Sequence, residues 1–302
     1  MKFTLLFLIL VCVTSFGKPK VIVTTSVGSH PESVTGSTDF IFVSNMGPKA
    51  DLGLSGDGYI SKLSKAGELL DAKFLPADTS SSSRLNSPTG MQVVGDTLFV
   101  NDVSRILGFS LSSRRLIAEW DLSEFGVTFL NDMTSIRQRY LAVTATEQKA
   151  IFILDTQTEK AIQLKVSEPL AFVNGIAFDE KTTYLYLNQN LAATIGKDDE
   201  NGEVLALQFV GSMRSAKVVW KRKGAGKFLD GLSLLGDGSL LLSDWGGWGN
   251  DGNFRRVFPA LSSPIKSLPV GLKGMADFYY DPSSRRIYVP QLTEGLVTAF
   301  QF

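Results

Sequence analysis

One short pattern recurs six times along the chain: a polar or small residue, a small or acidic one, an apolar strand, a turn, and a second apolar strand. The copies are ESVTGSTDFIFVSN from Glu32, TGMQVVGDTLFVND from Thr89, NDMTSIRQRYLAVTA from Asn131, NGIAFDEKTTYLYLNQ from Asn174, DGLSLLGDGSLLLSD from Asp230 and ADFYYDPSSRRIYVPQ from Ala276. Their starts lie 57, 42, 43, 56 and 46 residues apart. A period of about 40–50 residues is that of a propeller blade of four short strands. The two long intervals carry the Ser-rich DTSSSSRLNSP and the acidic stretch from Gly196 to Gly202 as loop insertions. Two further strand-like runs usually follow each pair, as in ILGFSLSSRRLIAEWDL and AIFILDTQTEKAIQLKV, and no long stretch keeps a helical period. The fold expected is all-β, a six-bladed β-propeller over residues 18–302. The last unit ends at LVTAFQF, one strand short, so KVIVTTS (20–26) is expected to complete it and close the ring.

The first 17 residues, MKFTLLFLILVCVTSFG, read as a secretory signal peptide. An early lysine precedes an apolar run from Leu5 to Val13, and Ser15 and Gly17 suit a signal peptidase. The run is too short to span a membrane, and Val11 before Cys12 does not suit a lipoprotein anchor. Removal near Lys18 leaves 285 of the 302 residues and a secreted or periplasmic protein. That mature chain has no cysteine, which excludes thiolate chemistry and Cys-ligated zinc; its length allows a core without disulfides. Loss of Lys2 leaves 29 basic against 30 acidic residues, a balance that suggests no nucleic-acid partner and no anionic membrane surface. The single histidine, His30, rules out a His–His dyad.

In a propeller the innermost strands flank the central channel, so equivalent positions form a ring. The first position of the six units reads Glu32, Thr89, Asn131, Asn174, Asp230 and Ala276. Glu32, Asn131, Asn174 and Asp230 each offer a side-chain oxygen, and two carboxylates with two amides suit a hard divalent cation, calcium best. The competing reading makes Asn174-Gly175 and Asp230-Gly231 turns, or the four residues hydrogen-bonded caps at strand starts. Each of those units already turns a few residues later, at 179–183 and 236–238.

The second position contributes Asp132 and Asp277. Strand alternation should turn them away from the first ring, either toward a second ion or toward backbone amides between blades. His30 lies two before Glu32 with Pro31 between, and an extended chain there would make it a candidate catalytic base; a place behind the ligands or at the surface is the alternative. The strand ends VSN, VND, LNQ and LSDWGGWG offer a polar rim and a Gly/Trp lip, though strand ends are commonly polar. KRK (221–223) reads as a solvated loop.

Together HPESV, SPTGM, FLNDM, VNGIAFD, FLDGLSLLGDGSLLLSDWGG and GMADFYYD resemble the senescence marker protein (regucalcin)/gluconolactonase/luciferin-regenerating-enzyme family, of the calcium-dependent phosphotriesterase superfamily. The resemblance runs from about Pro31 to Phe302. It implies a channel metal held by Glu32, Asn131, Asn174 and Asp230, and hydrolysis of a lactone or phosphotriester with Asp230 as catalytic residue. The chain departs from the pattern at Phe129, where regucalcin-like members carry an arginine that grips a sugar lactone, and at RQRYLAVTAT. Glu294 is the only glutamate placed late enough to match the strictosidine synthase base. The expected function is a calcium-dependent hydrolase of a lactone-like or ester small molecule, with no membrane partner after signal cleavage. The alternative is a non-catalytic propeller that binds a ligand or protein around a structural ion.

Overall fold

Apolar, β-branched and aromatic runs form strands wherever both faces can be covered. The second strand of each repeat is such a run: Phe40–Asn45, Thr97–Asp102, Tyr140–Ala145, Tyr184–Asn190, Leu240–Asp244 and Arg286–Gln291 are buried along almost their whole lengths. The fourth strands, such as Leu116–Asp121, lie at the rim and alternate between exposed and covered residues. The computed structural model describes residues 19–49, 54–78, 82–158, 160–192, 201–247, 251–259 and 263–302. The signal peptide expected at 1–17 and most of the acidic insertion lie outside these residues, as do residues 79–81 of the Ser-rich insertion.

Six antiparallel sheets follow one another as the repeat requires. Blade 1 holds Pro31–Gly36, Phe40–Asn45, Tyr59–Ser64 and Leu69–Leu75, and the blades that follow start at Pro88, Leu130, Phe172 and Leu229. Blade 6 takes three strands from the C-terminal end and its fourth, Lys20–Ser26, from the N-terminal side, with Ser26 opposite Leu296 and Lys20 opposite Gln301. The ring is therefore closed by the strand expected to close it. One element was not anticipated: Lys165–Val166 pairs in parallel with Ser215 and Ala216, adding a fifth strand to blade 4. Among the described residues the only helix is a 3-10 turn, Ser123–Phe125.

Six apolar clusters sit between neighbouring blades, one at each interface. Ile151, Ile153, Val173, Leu187 and Leu205 join blades 3 and 4, and Val27, Val43, Tyr288 and Ala299 join blades 6 and 1. A core divided in this way ties each blade to two others, which leaves the axis to polar groups.

The innermost strands share one irregularity. Pairing with the second strand slips at Pro31/Ser33, Pro88/Met91, Leu130/Met133, Val173/Ile176 and Leu229/Leu232. The slip takes both of the first two repeat positions out of the ladder in blades 2 to 5, and Glu32 alone in blade 1, where Ser33 still pairs with Ser44. A bulge takes residues out of the ladder and re-aims their side chains. The freed N–H of the second position finds a side chain on the next strand: Ser33 N bonds Ser44 Oγ at 2.9 Å, Asp132 N bonds Thr144 Oγ1 at 3.0 Å, Gly175 N bonds Asn188 Oδ1 at 3.2 Å and Gly231 N bonds Ser243 Oγ at 2.8 Å. The same side chains reach the following blade, where Thr144 Oγ1 donates to Asn174 O at 2.8 Å and Asn188 Nδ2 to Asp230 O at 2.6 Å. A belt of small polar residues thus fixes the bulges in register around the axis.

Glycine at the second position follows from that closeness. A Cβ on Gly175 would lie 2.4 Å from Asp230 O and 2.6 Å from Leu232 N, both backbone atoms that cannot swing aside. Gly175→Val should therefore wedge blades 4 and 5 apart. The expected result is a fall in melting temperature of at least ~10 °C, a core-clash effect of several kcal/mol in size; an unchanged melting curve would contradict the belt.

Candidate functional site

The first repeat positions set six residues around the axis, and four of their side chains carry oxygens with nothing to bond. Glu32 is 6%, Asn131 5%, Asn174 6% and Asp230 5% exposed. Glu32 Oε2, Asn131 Oδ1, Asn174 Oδ1 and Asp230 Oδ1 are all buried without a hydrogen-bond partner. Buried polar atoms are nearly always paired. In both amides the nitrogen faces a protein acceptor, Asn131 Nδ2 on Thr146 Oγ1 at 3.2 Å and Asn174 Nδ2 on Leu229 O at 3.5 Å, while the oxygen is left over. Other partnerless oxygens exist among the described residues, on Asn45, Ser87, Asn101, Glu203 and Ser263, but in other registers. The two remaining ring positions contribute no oxygen to the axis: Thr89 Oγ1 donates to Leu130 O at 2.8 Å, and Ala276 has none to offer.

Asp230, in FLDGL, belongs to the strand Leu229–Leu234 and opens no turn. Trp245 Nε1 donates to its Oδ2 at 2.7 Å, which fixes one oxygen, and the Asn174 side chain approaches the same carboxylate. The lip expected after Asp244 is in this respect part of the site, since Trp245 is only 6% exposed; Trp248 lies outside the described residues. Asp244 acts as a strut, accepting from Phe228 N at 3.0 Å and from Arg255 Nε at 2.8 Å. Asp102 does the same in blade 2, with Asn86 N at 2.7 Å, Ser87 N at 2.8 Å and Arg105 Nη2 at 2.8 Å. The polar ends of these second strands position the mouth and do not line it.

Alternation does not carry Asp132 and Asp277 out of range of the ring. Glu32 feels Asp230, Asp277 and Asp132; Asp132 feels Asp230; Asp277 feels both other aspartates. Each of the six pairs of carboxylates is thus close enough to interact. Asp132 Oδ2 accepts from Ile176 N of the next blade at 2.9 Å and Oδ1 from Met133 N at 2.6 Å, and Asp277 Oδ2 accepts from Ser33 Oγ at 2.5 Å. Of these, the bond from Ile176 N is the expected kind, a backbone amide across blades; Met133 N lies in the same strand as Asp132, and Ser33 offers a hydroxyl. Below the ring, both aspartates line a channel cavity of about 110 Å³ with Thr35, Thr134, Ile176 and Leu232.

Burial pushes all four carboxyls up. Asp230 rises to about 6, with the Trp245 N–H and the neighbouring Asn174 holding it down. Asp132 rises to about 7 against its two backbone amides. Glu32 and Asp277 are raised well above the ordinary range by burial and by the carboxylates around them. Among the described residues no ion pair joins a basic side chain to any of the four. Nor do three His, Cys, Asp or Glu side chains gather at metal-binding distance. An ion here would take two carboxylates, Glu32 and Asp230, and complete its protein shell from the two amides. That donor set fits calcium, which accepts amide oxygens freely, and does not fit a soft-metal site.

His30 departs from expectation. Its φ is 56°, so the chain before Pro31 is left-handed and not extended. Its Nδ1 lies 2.9 Å from Gly47 O. The two-residue spacing therefore gives no reason for His30 and Glu32 to project alike. Glu294 is exposed and lies against Thr293 Oγ1 at 3.3 Å.

Trp245→Phe tests the fixed carboxylate. Loss of a hydrogen bond to a charged group, about 1.5 kcal/mol, should weaken calcium binding roughly tenfold, measured by calorimetry. An unaltered affinity would mean that Trp245 only packs.

No protein-family model and no curated protein sequence matches the chain. Its structure is similar to that of selenomethionine-substituted virginiamycin B lyase from Staphylococcus aureus, with a TM-score of 0.61 and 12% identity over 94% of this chain and 100% of that one. A streptogramin B lyase gives 0.58 and 11% identity over 92% and 97%. The β-propeller domain of Myceliophteria thermophila Cps50 (Swd1) gives 0.56 and 10% over 94% and 99%. Identities this low establish the propeller fold and nothing finer. Propellers of one shape serve unrelated tasks.

Proposed function

We propose that the protein is a secreted or periplasmic, divalent-cation-dependent hydrolase of a lactone-like or ester substrate, with calcium as the ion. The observation that supports this most is the set of four partnerless oxygens in one register, on Glu32, Asn131, Asn174 and Asp230, with no ion pair to a basic side chain among the described residues. Four protein oxygens leave a calcium shell open for water and substrate. The gap lies beside Glu32, where Thr89 turns to a backbone carbonyl and Ala276 has no polar group.

When bound, such an ion would polarise an ester carbonyl oxygen. The chain's own part falls to Asp230. Trp245 holds its Oδ2, which directs Oδ1 into the site as general base toward water or as nucleophile toward the acyl carbon. His30 is the proposed second base only through Nε2, because its Nδ1 bonds Gly47 O and its left-handed backbone does not align it with Glu32. In its neutral form the bond to Gly47 O keeps the proton on Nδ1 and leaves Nε2 basic.

Two of the similar structures are named lyases, which favours elimination as a second route to the same bond cleavage. The binding-only propeller is the other reading. One assay separates all three: lactones, aryl esters and phosphotriesters incubated with calcium, with products weighed by mass spectrometry. Hydrolysis adds one water, elimination adds none, and a binding propeller turns over nothing above buffer. Chelation should abolish turnover.

A further inference from the structure

The residue two places before three of the four oxygen-bearing ring positions is phenylalanine: Phe129 before Asn131, Phe172 before Asn174, Phe228 before Asp230. These are consecutive blades, and all three side chains are half-buried where the innermost strands begin. The belt that fixes the ring register fixes theirs. Phe228 meets Trp245 edge-on, with centroids 6.5 Å apart and planes at 86°, and Trp245 touches Asp230. Lys149 Nζ lies 4.6 Å from the centroid of Phe172, and its hairpin neighbour Gln148 reaches back to Thr128, beside Phe129. Three aromatic residues thus stand at the starts of consecutive inner strands, from blade 3 to blade 5, just ahead of the slips that re-aim the ring positions.

Resting on the hydrolase reading, we propose that this arc selects the substrate: a flat, uncharged, aryl-bearing ester or lactone whose ring lies against Phe129, Phe172 and Phe228 while its carbonyl meets the ring of oxygens. Polyhydroxylated lactones need hydrogen-bond partners that phenyl rings cannot supply, and a site without such partners discriminates against them. Aromatic faces instead favour offset-stacked or edge-on rings.

The test pairs dihydrocoumarin, a lactone fused to an aryl ring, with γ-butyrolactone, a lactone without one, in calcium-loaded wild type, Phe129→Ala and Phe172→Ala. Retained melting temperatures establish that the variants fold. The expected result is a roughly tenfold loss of kcat/KM for dihydrocoumarin in each variant, carried by KM, and less than about twofold change for γ-butyrolactone. Equal losses on both substrates, or none on either, overturn the arc while leaving the hydrolase intact. Should the wild type hydrolyse neither, the hydrolase reading fails. The arc is then judged by fluorescence binding of 4-methylumbelliferone to the calcium-loaded protein. Binding weakened about tenfold in the variants sustains it; absent or unaltered binding overturns it.

Discussion

Calcium should raise the melting temperature by about 5–10 °C at pH 7.5 and by less than half of that at pH 5. At a free concentration a hundred times its Kd, a ligand that binds only the folded chain stabilises it by about 2.7 kcal/mol; in a chain of this size each kcal/mol moves the midpoint by roughly 2–4 °C. The pH dependence follows from the raised carboxyls. Asp230 titrates at about 6 and Asp132 at about 7 in the fold, whereas both would lose their protons near 3.9 in the unfolded chain. Between these values the ion-free fold holds protons that the unfolded chain has released. The stability they contribute is fully present below about pH 4 and is lost as the pH climbs through 6 and 7. Calcium must displace the proton of Asp230 at pH 5 and meets that carboxylate ionised at pH 7.5. A calcium shift of the same size at both pH values, or none at either, would contradict the account.

Asp230→Asn should separate stability from activity. The substitution keeps the shape, leaves an oxygen for the Trp245 N–H, and removes a buried charge that faces Glu32 and Asp277. Neutralising an uncompensated buried ion stabilises, so the ion-free variant should melt several degrees above ion-free wild type at pH 7.5. Turnover should fall by at least ~1,000-fold, because the proposed base or nucleophile is gone, and most of the calcium shift should vanish. Glu32→Gln should show the same rise in ion-free stability. A structural aspartate would behave in the opposite way: its loss would lower the melting point and leave the chemistry alone. Differential scanning calorimetry beside the lactone assay reads both quantities.

Much of the architecture was legible because the period is long and its first column is chemically uniform. Glu32, Asn131, Asn174 and Asp230 share a register that a turn at each separate site would not produce, and the strand at Lys20–Ser26 was called for by the missing fourth strand of the last unit. The bulges were not legible. Strict alternation sends Asp132 and Asp277 away from the ring, yet the slip in pairing at the first two positions keeps them within reach of Glu32 and Asp230. A signal was present in the second strands, where Ser44, Asn101, Thr144, Asn188 and Ser243 form a column of small polar residues inside otherwise apolar runs. Read as decoration on strand ends, that column hides its role; in the fold Ser44, Thr144, Asn188 and Ser243 cap the freed amides, and Asn101 Nδ2 donates across to Asn131 O. Trp245 belongs to the same lesson. Its N–H finds Asp230 only across the blade, a contact that spacing along the chain does not announce.

The central claim is that one dication on the axis is gripped by four side-chain oxygens from four blades. A crystal grown with calcium and measured for anomalous scattering addresses it directly. The account predicts a single strong peak about 2.3–2.6 Å from oxygens of Glu32, Asn131, Asn174 and Asp230, lost in a crystal of Asp230→Asn. A channel mouth holding only water at saturating calcium, or an ion seated away from these four residues, would contradict it.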